Sequence, residues 1–226
     1  MQDETTYSLT RSNRKSIALY VRDSGLEVRA PFRMSKAEID RFVEQKKDWV
    51  DGKITELAER QKQKKEFTIY YGSRVLYRGQ KWFVGGVAGK KVYFDRAFCI
   101  PCYLTPQQCK RACVQIYRLL AKRDLSEKVL SFGKQMGVNP SGIKINGAKT
   151  RWGSCSAKKA LNFSWRLMMA EDDVIDYVVV HELAHIKEMN HSAKFWAIVE
   201  GILPDYKERK KKLKELQKRL STEDWG

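Results

Sequence analysis

The sequence predicts an α+β fold, with a β-rich N-terminal part and a C-terminal part dominated by helices. Short segments of strand-forming residues, separated by glycine-bearing turns, make up most of the chain before residue 104. Beyond that residue, apolar side chains recur at helical spacing over long stretches. In a chain of 226 residues we therefore expect a β-rich domain at residues 1–104, with one inserted helix, and a second domain at residues 105–226.

The N-terminal part begins with a predicted β-hairpin, whose strands are residues 16–22 and 26–30 and whose turn is residues 23–25. Ser35, with Glu38 three residues later, forms a capping box that predicts the start of a helix. Apolar residues at helical spacing continue this helix to about Leu57. Strands are then expected at residues 67–71, 74–78, 82–85 and 91–94.

A long helix opens the C-terminal part. Thr105 is a favourable N-cap, and Pro106 suits the first helical position. Helical spacing then extends to about Met136, with an expected break near Asp124. Short strands are predicted to follow at residues 143–148, 150–155 and 161–167.

The composition limits the location and the partners of the protein. Lys and Arg number 44 against 27 Asp and Glu, which gives a formal net charge of +17. Such a charge is typical of a protein with a polyanionic partner or an acidic substrate, although solubility alone also accounts for it. No apolar run approaches the roughly 18 residues of a membrane helix, and the first 14 residues lack the apolar core of a signal peptide. We therefore expect a cytoplasmic protein without a membrane segment.

All three histidines of the chain, His181, His185 and His191, lie within eleven residues. Because His181 and His185 are four residues apart, both imidazoles lie on one face of a helix and can bind one metal ion. Glu182 lies beside that face, where a carboxylate can reach a metal-bound water. Residues 174–180 are apolar on almost every side, which predicts a buried helix. Ionisable side chains on such a helix are costly unless they are paired or bind a metal.

His191 can join this site only if the helix ends before it. Six residues of continuous helix rise about 9 Å, which is too far for two ligands of one zinc ion with bonds of about 2 Å. We therefore predict that the helix runs from Val174 to about Met189 and stops near Asn190, a residue type that tolerates the left-handed conformation. Ser192 is then placed to cap the next helix. The expected site is one zinc ion held by three histidines, with a water in the fourth position.

These motifs resemble the YgjP-like metallopeptidase family, which is related to the SprT and WLM zinc peptidases. The resemblance is carried by residues 151–156, 161–166, 174–185, 187–191, 195–196 and 204–209, and by residues 14–17 and 28–31 in the N-terminal part. It implies a gluzincin-like (zincin) core, in which a small twisted sheet lies beside the active-site helix. It also implies the ligands His181, His185 and His191 and the catalytic residue Glu182.

Further residues are candidates for substrate binding. In related zinc peptidases an extended substrate adds to the edge of the sheet, so Arg151, Trp152, Gly153 and Asn162 are candidate edge-strand residues. Strand aromatics such as Trp152 also commonly pack in a core. Tyr206 is a candidate hydrogen-bond donor to the oxyanion of the transition state, although a purely packing role is the one that its residue type favours.

Five cysteines are present, and an odd number without an export signal argues against a disulfide framework. Cys99, Cys102, Cys109 and Cys113 have a spacing that permits a second, structural zinc. The loop between the two pairs is short, and the second pair falls on a predicted helix. We therefore expect packing or free thiols rather than a second zinc ion.

The leading functional hypothesis is a zinc-dependent metallopeptidase of the HExxH type, in which Glu182 activates a zinc-bound water that attacks a peptide bond. One alternative is a metal-dependent hydrolase of nucleotide phosphoanhydrides, although the sequence has no Gly-rich phosphate loop. Another is a nucleic-acid-associated module with a structural zinc, which the presence of Glu182 argues against. Residues 207–219 carry eight Lys or Arg and two Glu, a basic stripe that is compatible with weak, non-specific nucleic-acid binding.

Overall fold

The computed structural model describes residues 6–226, which form ten strands and six α-helices, and the α+β class is confirmed. The strands are β1 Tyr7–Ser12, β2 Ala18–Arg22, β3 Gly25–Pro31, β4 Arg74–Tyr77, β5 Gln80–Val87, β6 Tyr93–Phe94, β7 Phe98–Pro101, β8 Gly142–Asn146, β9 Gly153–Cys155 and β10 Ala160–Ser164. The α-helices are α1 Lys36–Gln45, α2 Lys47–Glu66, α3 Pro106–Met136, α4 Asp172–Ala184, α5 Ala193–Ile202 and α6 Tyr206–Leu220, and a 3₁₀ helix spans Trp165–Met169.

The chain forms two compact units. Among the described residues, the first contains residues 6–67 together with Ser221–Asp224, and the second contains Thr68–Leu220 and Trp225–Gly226. The boundary predicted after residue 104 therefore falls inside the second unit, where β7 packs on α3 through the rings of Phe98 and Tyr117, whose centroids are 4.8 Å apart. The division into domains at residue 104 stays a prediction.

The first unit is built on a three-stranded sheet in the order β1-β3-β2. β2 and β3 form the predicted antiparallel hairpin, while β1, which the sequence did not indicate, pairs with β3 in parallel. The capping box is present, because the Ser35 hydroxyl accepts from the Glu38 backbone and the Glu38 carboxylate accepts from the Ser35 backbone. The single helix predicted to Leu57 is instead two helices, α1 and α2, which meet at Lys46.

A four-stranded sheet in the order β4-β5-β7-β6 opens the second unit. The strand predicted at residues 67–71 is absent, because the chain turns there. The Ser73 amide donates to the Tyr70 carbonyl at 3.0 Å, and Gly72 adopts a φ of +83°, which glycine reaches without strain. β7, which the sequence did not indicate, joins this sheet in parallel with β5.

α3 is the longest helix of the described chain, and it is continuous through Asp124, where a break was predicted. The Asp124 carboxylate is 2% exposed and accepts from the Tyr77 hydroxyl at 2.8 Å, from Arg78 at 3.1 Å and from Arg123 at 2.6 Å. These donors compensate the buried negative charge of Asp124, so α3 can continue through this residue while its carboxylate stays buried. The Gly137 C-cap, with φ of +63°, ends the helix.

The third sheet has the order β8-β10-β9, which leaves β9 at an edge. β10 pairs in parallel with β8 and antiparallel with β9. Its Leu161 and Phe163 are fully buried. The last part of the strand predicted at residues 161–167 is the 3₁₀ helix. None of the helices described in residues 6–226 contains a segment long and apolar enough to span a membrane.

We expect Asp124→Ala to lower the free energy of unfolding by about 3 kcal/mol, because it removes the acceptor of a buried hydroxyl and the partner of two guanidinium groups. Chemical denaturation monitored by circular dichroism measures the change. Asp95→Ala is the matched control, since Asp95 is exposed and has no ion pair in the described chain. Equal stability of the two variants would contradict the role of Asp124 in joining α3 to β4.

Candidate metal centre

α4 brings two of the candidate ligands together. Asp172 and Asp173 lie in its first turn, where negative charge interacts favourably with the helix dipole. The middle of the helix is buried, including Val178, Val179 and Val180. His181 and Glu182 follow in the last turn, and His185 is the C-cap residue. The apolar segment thus places these ionisable side chains at the C-terminal end of a buried helix.

α4 ends at Ala184, which corrects the prediction that it continues to Met189. The amides of Lys187 and Glu188 both donate to the Ala184 carbonyl, at 3.0 and 2.9 Å, so the chain turns directly after His185. The left-handed turn predicted at Asn190 is wrong, since Asn190 is not among the described non-glycine residues with positive φ. Several consecutive turns after His185, rather than a left-handed Asn190, redirect the chain. The helix does end before His191, as the ligand geometry required.

Ser192 caps α5, as predicted, because its hydroxyl accepts from the Phe195 amide at 3.4 Å. This start fixes the direction of the chain immediately after His191. Phe195 and Trp196 then fall in the first turn of α5 and face the histidines. The position of His191 therefore depends on α5 as well as on the turns that follow α4.

The three histidines converge on one point. One ligand nitrogen from each of His181, His185 and His191 lies within 4.8 Å of the other two. The Nε2 atoms of His181 and His191 are 3.0 Å apart. Within residues 6–226 this is the only group of three or more His, Cys, Asp or Glu side chains with such a spacing. Three imidazole nitrogens at this separation fit a zinc ion, which takes nitrogen ligands at about 2.0–2.1 Å in a tetrahedral arrangement.

The rings are oriented by different contacts. His185 Nδ1 lies 3.2 Å from the Glu188 carbonyl oxygen, and a hydrogen bond donated there leaves Nε2 as the ligand atom. His181 is enclosed by rings, and its buried Nδ1 has no hydrogen-bond partner in the described chain. The exposed His191 ring stacks on Trp196, with centroids 5.7 Å apart and planes 28° apart. The Phe195 ring also packs against His185, with centroids 4.6 Å apart, so aromatic packing contributes to the position of all three candidate ligands.

The electrostatics of the site favour neutral imidazoles. Burial lowers the pKa of His181 to about 3, and the neighbouring His185, His191 and Lys210 act in the same direction. Burial likewise lowers the pKa of His185. A neutral imidazole is the form that binds a metal, so the environment of these side chains is compatible with a metal site.

Glu182 is buried against β9. Its burial raises the pKa of the carboxyl group to about 8 in the metal-free chain. A Cβ atom built on Gly153 would lie 2.6 Å from both Cγ and Oε1 of Glu182, so a larger residue at position 153 would displace the carboxyl group. Gly153, predicted as an edge-strand residue, is thus the point at which the edge strand meets the candidate base. Sequence reasoning did not identify this contact.

The other candidate residues occupy varied positions. Arg151 is exposed just before β9, and Trp152 is partly buried, with its carbonyl accepting from the Ser164 amide at 2.9 Å. Asn162 lies on the central strand β10, opposite Ser154 of β9. Tyr206 is buried and stacks on Trp196, with centroids 5.2 Å apart.

Trp196 is the residue at the site that sequence reasoning missed as a functional candidate. Its indole contacts the rings of His181 and His191 as well as that of Tyr206. Its position in the sequence, in the first turn of the helix that follows the third histidine, was the feature that could have identified Trp196 as a candidate. The structure therefore connects Tyr206 to the metal centre through one shared ring.

The four clustered cysteines are free thiols: Cys99, Cys109 and Cys113 are buried, and Cys102 is exposed. Burial raises the pKa of Cys113 to about 12 and also raises that of Cys109. A raised pKa disfavours the thiolate, which is the form that binds metals. The expectation of a single zinc ion per chain stays a prediction.

A family model described as the YgjP-like metallopeptidase domain matches residues 15–216. No curated protein matches the sequence. Among solved structures, the crystal structure of the metallopeptidase zymogen abylysin from Pyrococcus abyssi is 21% identical, with a TM-score of 0.38 over 44% of this chain and 97% of the other. That of the zymogen jannalysin from Methanocaldococcus jannaschii is 25% identical, with a TM-score of 0.37 over 41% and 96%. These TM-scores are too low to assign a fold.

We expect Glu182→Gln to stabilise the metal-free protein increasingly as the pH rises from 5 to 8. The folded chain raises the pKa of Glu182 from 4.5 to about 8, so its stabilising contribution is complete below pH 4.5 and is lost as the pH rises through 8. Urea denaturation in the presence of a chelator should show the stability difference growing by more than about 1 kcal/mol. The exposed Glu200→Gln is the control. A difference that does not change with pH would contradict the burial of an uncompensated carboxyl group.

Proposed function

The chain belongs to the YgjP-like metallopeptidase family, and from this premise we propose that it is a zinc-dependent metallopeptidase in which His181, His185 and His191 hold the ion and Glu182 is the general base. The observation that carries the proposal is the convergence of three imidazole nitrogens beside one buried carboxyl group. Three protein ligands leave the fourth tetrahedral position for water or substrate, which is the usual arrangement of a catalytic zinc site.

Zinc, when bound, supplies a Lewis acid that polarises a carbonyl group and lowers the pKa of water toward 7. A cation held by the histidines also favours the ionised form of Glu182, which burial alone disfavours. The carboxylate then accepts a proton from the attacking water and passes it to the leaving amine. The narrow space beside Gly153 limits the positions open to this carboxylate, which keeps the base oriented.

An extended substrate fits the free edge of β9 in this proposal. β9 pairs with β10 on one side, and its other edge has no strand partner in the described chain, so it can add a peptide strand by backbone hydrogen bonds. Because Glu182 packs on Gly153, a peptide at this edge passes close to the base. Arg151 and Trp152, just before the strand, are the side chains we propose to contact such a peptide, and Asn162 supports the edge from β10.

Tyr206 is proposed as a donor to the oxyanion. Its ring stacks on Trp196, which contacts two of the histidines, so the tyrosine belongs to the same aromatic group as the ligands. The burial of its ring also supports a packing role. A Tyr206→Phe variant separates the two roles, because it keeps the ring and removes the hydroxyl.

We expect purified protein to contain one zinc ion per chain, His185→Ala to lose it, and Glu182→Gln to keep it while hydrolysis falls about a hundredfold or more. Elemental analysis gives the stoichiometry, and a proteome-derived peptide library with a nucleotide panel gives the activity. Unchanged turnover in Glu182→Gln would remove this residue from the mechanism. Hydrolysis of nucleotides in place of peptides would favour a phosphoanhydride hydrolase.

α6 supports a second proposal, the weak and non-specific binding of nucleic acid. Its Leu220 is buried and its Leu213 and Leu216 are partly buried, so this side of the helix packs on the protein. Lys207, Lys211 and Lys214 are exposed and form no ion pair within the described residues. Unpaired cations along one helix can neutralise successive phosphates, and such binding weakens as salt rises.

Charge reversal by Lys211→Glu and Lys214→Glu should abolish binding to single- and double-stranded DNA at low salt. Fluorescence anisotropy measures the binding of DNA. The control carries Lys134→Glu and Lys158→Glu, which give the same net charge with substitutions outside α6. No binding by the wild type at low salt, or equal loss in the control, would exclude α6 as a specific contact surface for nucleic acid.

A further inference from the structure

Helix α6 contains cations that pair with carboxylates, and Lys210, which pairs with none in the described chain. Arg209 pairs with Asp205 at 2.9 Å and also donates to the Asp173 carbonyl at 3.0 Å. Lys212 pairs with Glu171 at 2.7 Å and with Asp173 at 2.8 Å. Lys210 lies between them in the sequence, is exposed, and makes no ion pair with any residue that the structure describes. Its charge is therefore available to a ligand.

Lys210 adjoins the metal centre. Its ammonium group lies 4.7 Å from the centre of the Trp196 indole. The same indole is 5.7 Å from the His191 ring and 5.9 Å from the His181 ring, centre to centre. A cation over an aromatic face is held there by the charge distribution of the ring, which limits the mobility of a long side chain. The charge also reaches the ligands, since Lys210 contributes to the lowered pKa of His181.

We propose that Lys210 is a specificity-determining residue that binds a carboxylate of a peptide substrate close to the scissile bond. This inference rests on the proposed peptidase function and deepens it, because it assigns a preferred class of substrate. An ammonium group offers three donors to an acidic side chain or to the free C-terminal carboxylate of a peptide.

The position of Lys210 suits residues near the cleavage point. In an extended peptide, successive residues are about 3.3 Å apart, so side chains one to three residues from a carbonyl at the histidines come within reach of a neighbouring lysine. One ammonium beside an aromatic ring and a metal centre recognises a single anionic group. The row formed by Lys207, Lys211 and Lys214 is the part of α6 that suits a repeating polyanion.

The test is a binding measurement on full-length, zinc-loaded protein carrying Glu182→Gln, in which turnover is suppressed. Fluorescein-labelled octapeptides with an unchanged apolar centre carry Glu, Gln or Lys at each of the three positions on either side. A second set compares a free C-terminus with an amidated one. We expect one or two positions, or the free C-terminus, to bind about threefold to fivefold more tightly when they carry a carboxylate at low salt.

Variants at Lys210 identify the residue responsible. Adding Lys210→Gln should remove the preference for the carboxylate, and Lys210→Glu should reverse it in favour of the Lys-containing peptides. Lys134→Glu changes the net charge by the same amount as Lys210→Glu, but at an exposed residue of α3, and should leave the preference intact. The zinc content of each variant is measured alongside, so that loss of the metal is not mistaken for loss of recognition.

Equal binding of acidic and neutral peptides by the protein that keeps Lys210 would overturn the inference. A preference for acidic peptides that survives both Lys210→Gln and Lys210→Glu would also overturn it. Displacement of the acidic peptide by single-stranded DNA only in proteins that keep Lys210 would also overturn it, in favour of phosphate recognition. A failure of the peptidase proposal can be told apart from a failure of this inference. If the wild type cleaves no peptide while the Lys210-dependent preference persists, the carboxylate site is supported and the proposed activity is contradicted.

Discussion

The burial of His181 and Glu182 at the end of an apolar helix is the constraint on which the site depends. Burial shifts their pKa values in opposite directions, so the metal-free chain favours a neutral imidazole and a neutral carboxyl group. The first is ready to bind a metal, and the second regains its charge when a cation lies beside it. In the proposed mechanism, helix α4 therefore offers a ligand and a base that both depend on the same ion, which agrees with membership of a metallopeptidase family.

The surroundings of α4 follow from this constraint. The helix ends at Ala184, so the turns that follow can return His191 to the neighbourhood of His181 and His185. Trp196, from the start of α5, then supports the exposed His191 ring by stacking. On the other side, the lack of a side chain at Gly153 leaves room for Glu182. Elements before and after α4 in the sequence thus both contribute contacts to the candidate site.

Local signals in the sequence predicted the features that depend on short spacing. The capping box at Ser35, the N-caps at Thr105 and Ser192 and the HExxH spacing each involve residues no more than four positions apart. Features that depend on distant partners were not predicted. The buried Asp124 carboxylate is satisfied by Tyr77, on β4, and by Arg78, in the turn after β4, so the sequence near Asp124 alone indicated a break.

The same distinction applies within the candidate site. The spacing of the histidines required the helix to end before His191, but it did not determine how the chain turns, and the left-handed turn at Asn190 was the wrong choice. Contacts between Gly153 and Glu182 and between Trp196 and the histidines join separate elements, and no periodic pattern reveals them. Such contacts depend on tertiary packing, which single-sequence reasoning does not resolve.

The most direct test of the metal centre is anomalous diffraction at the zinc absorption edge from crystals of zinc-loaded protein. The account predicts one strong anomalous peak, about 2 Å from a ring nitrogen of each of His181, His185 and His191. It also predicts that the Glu182 carboxylate lies on the open side of that peak, against Gly153. A peak among Cys99, Cys102, Cys109 and Cys113 with none at the histidines would contradict it.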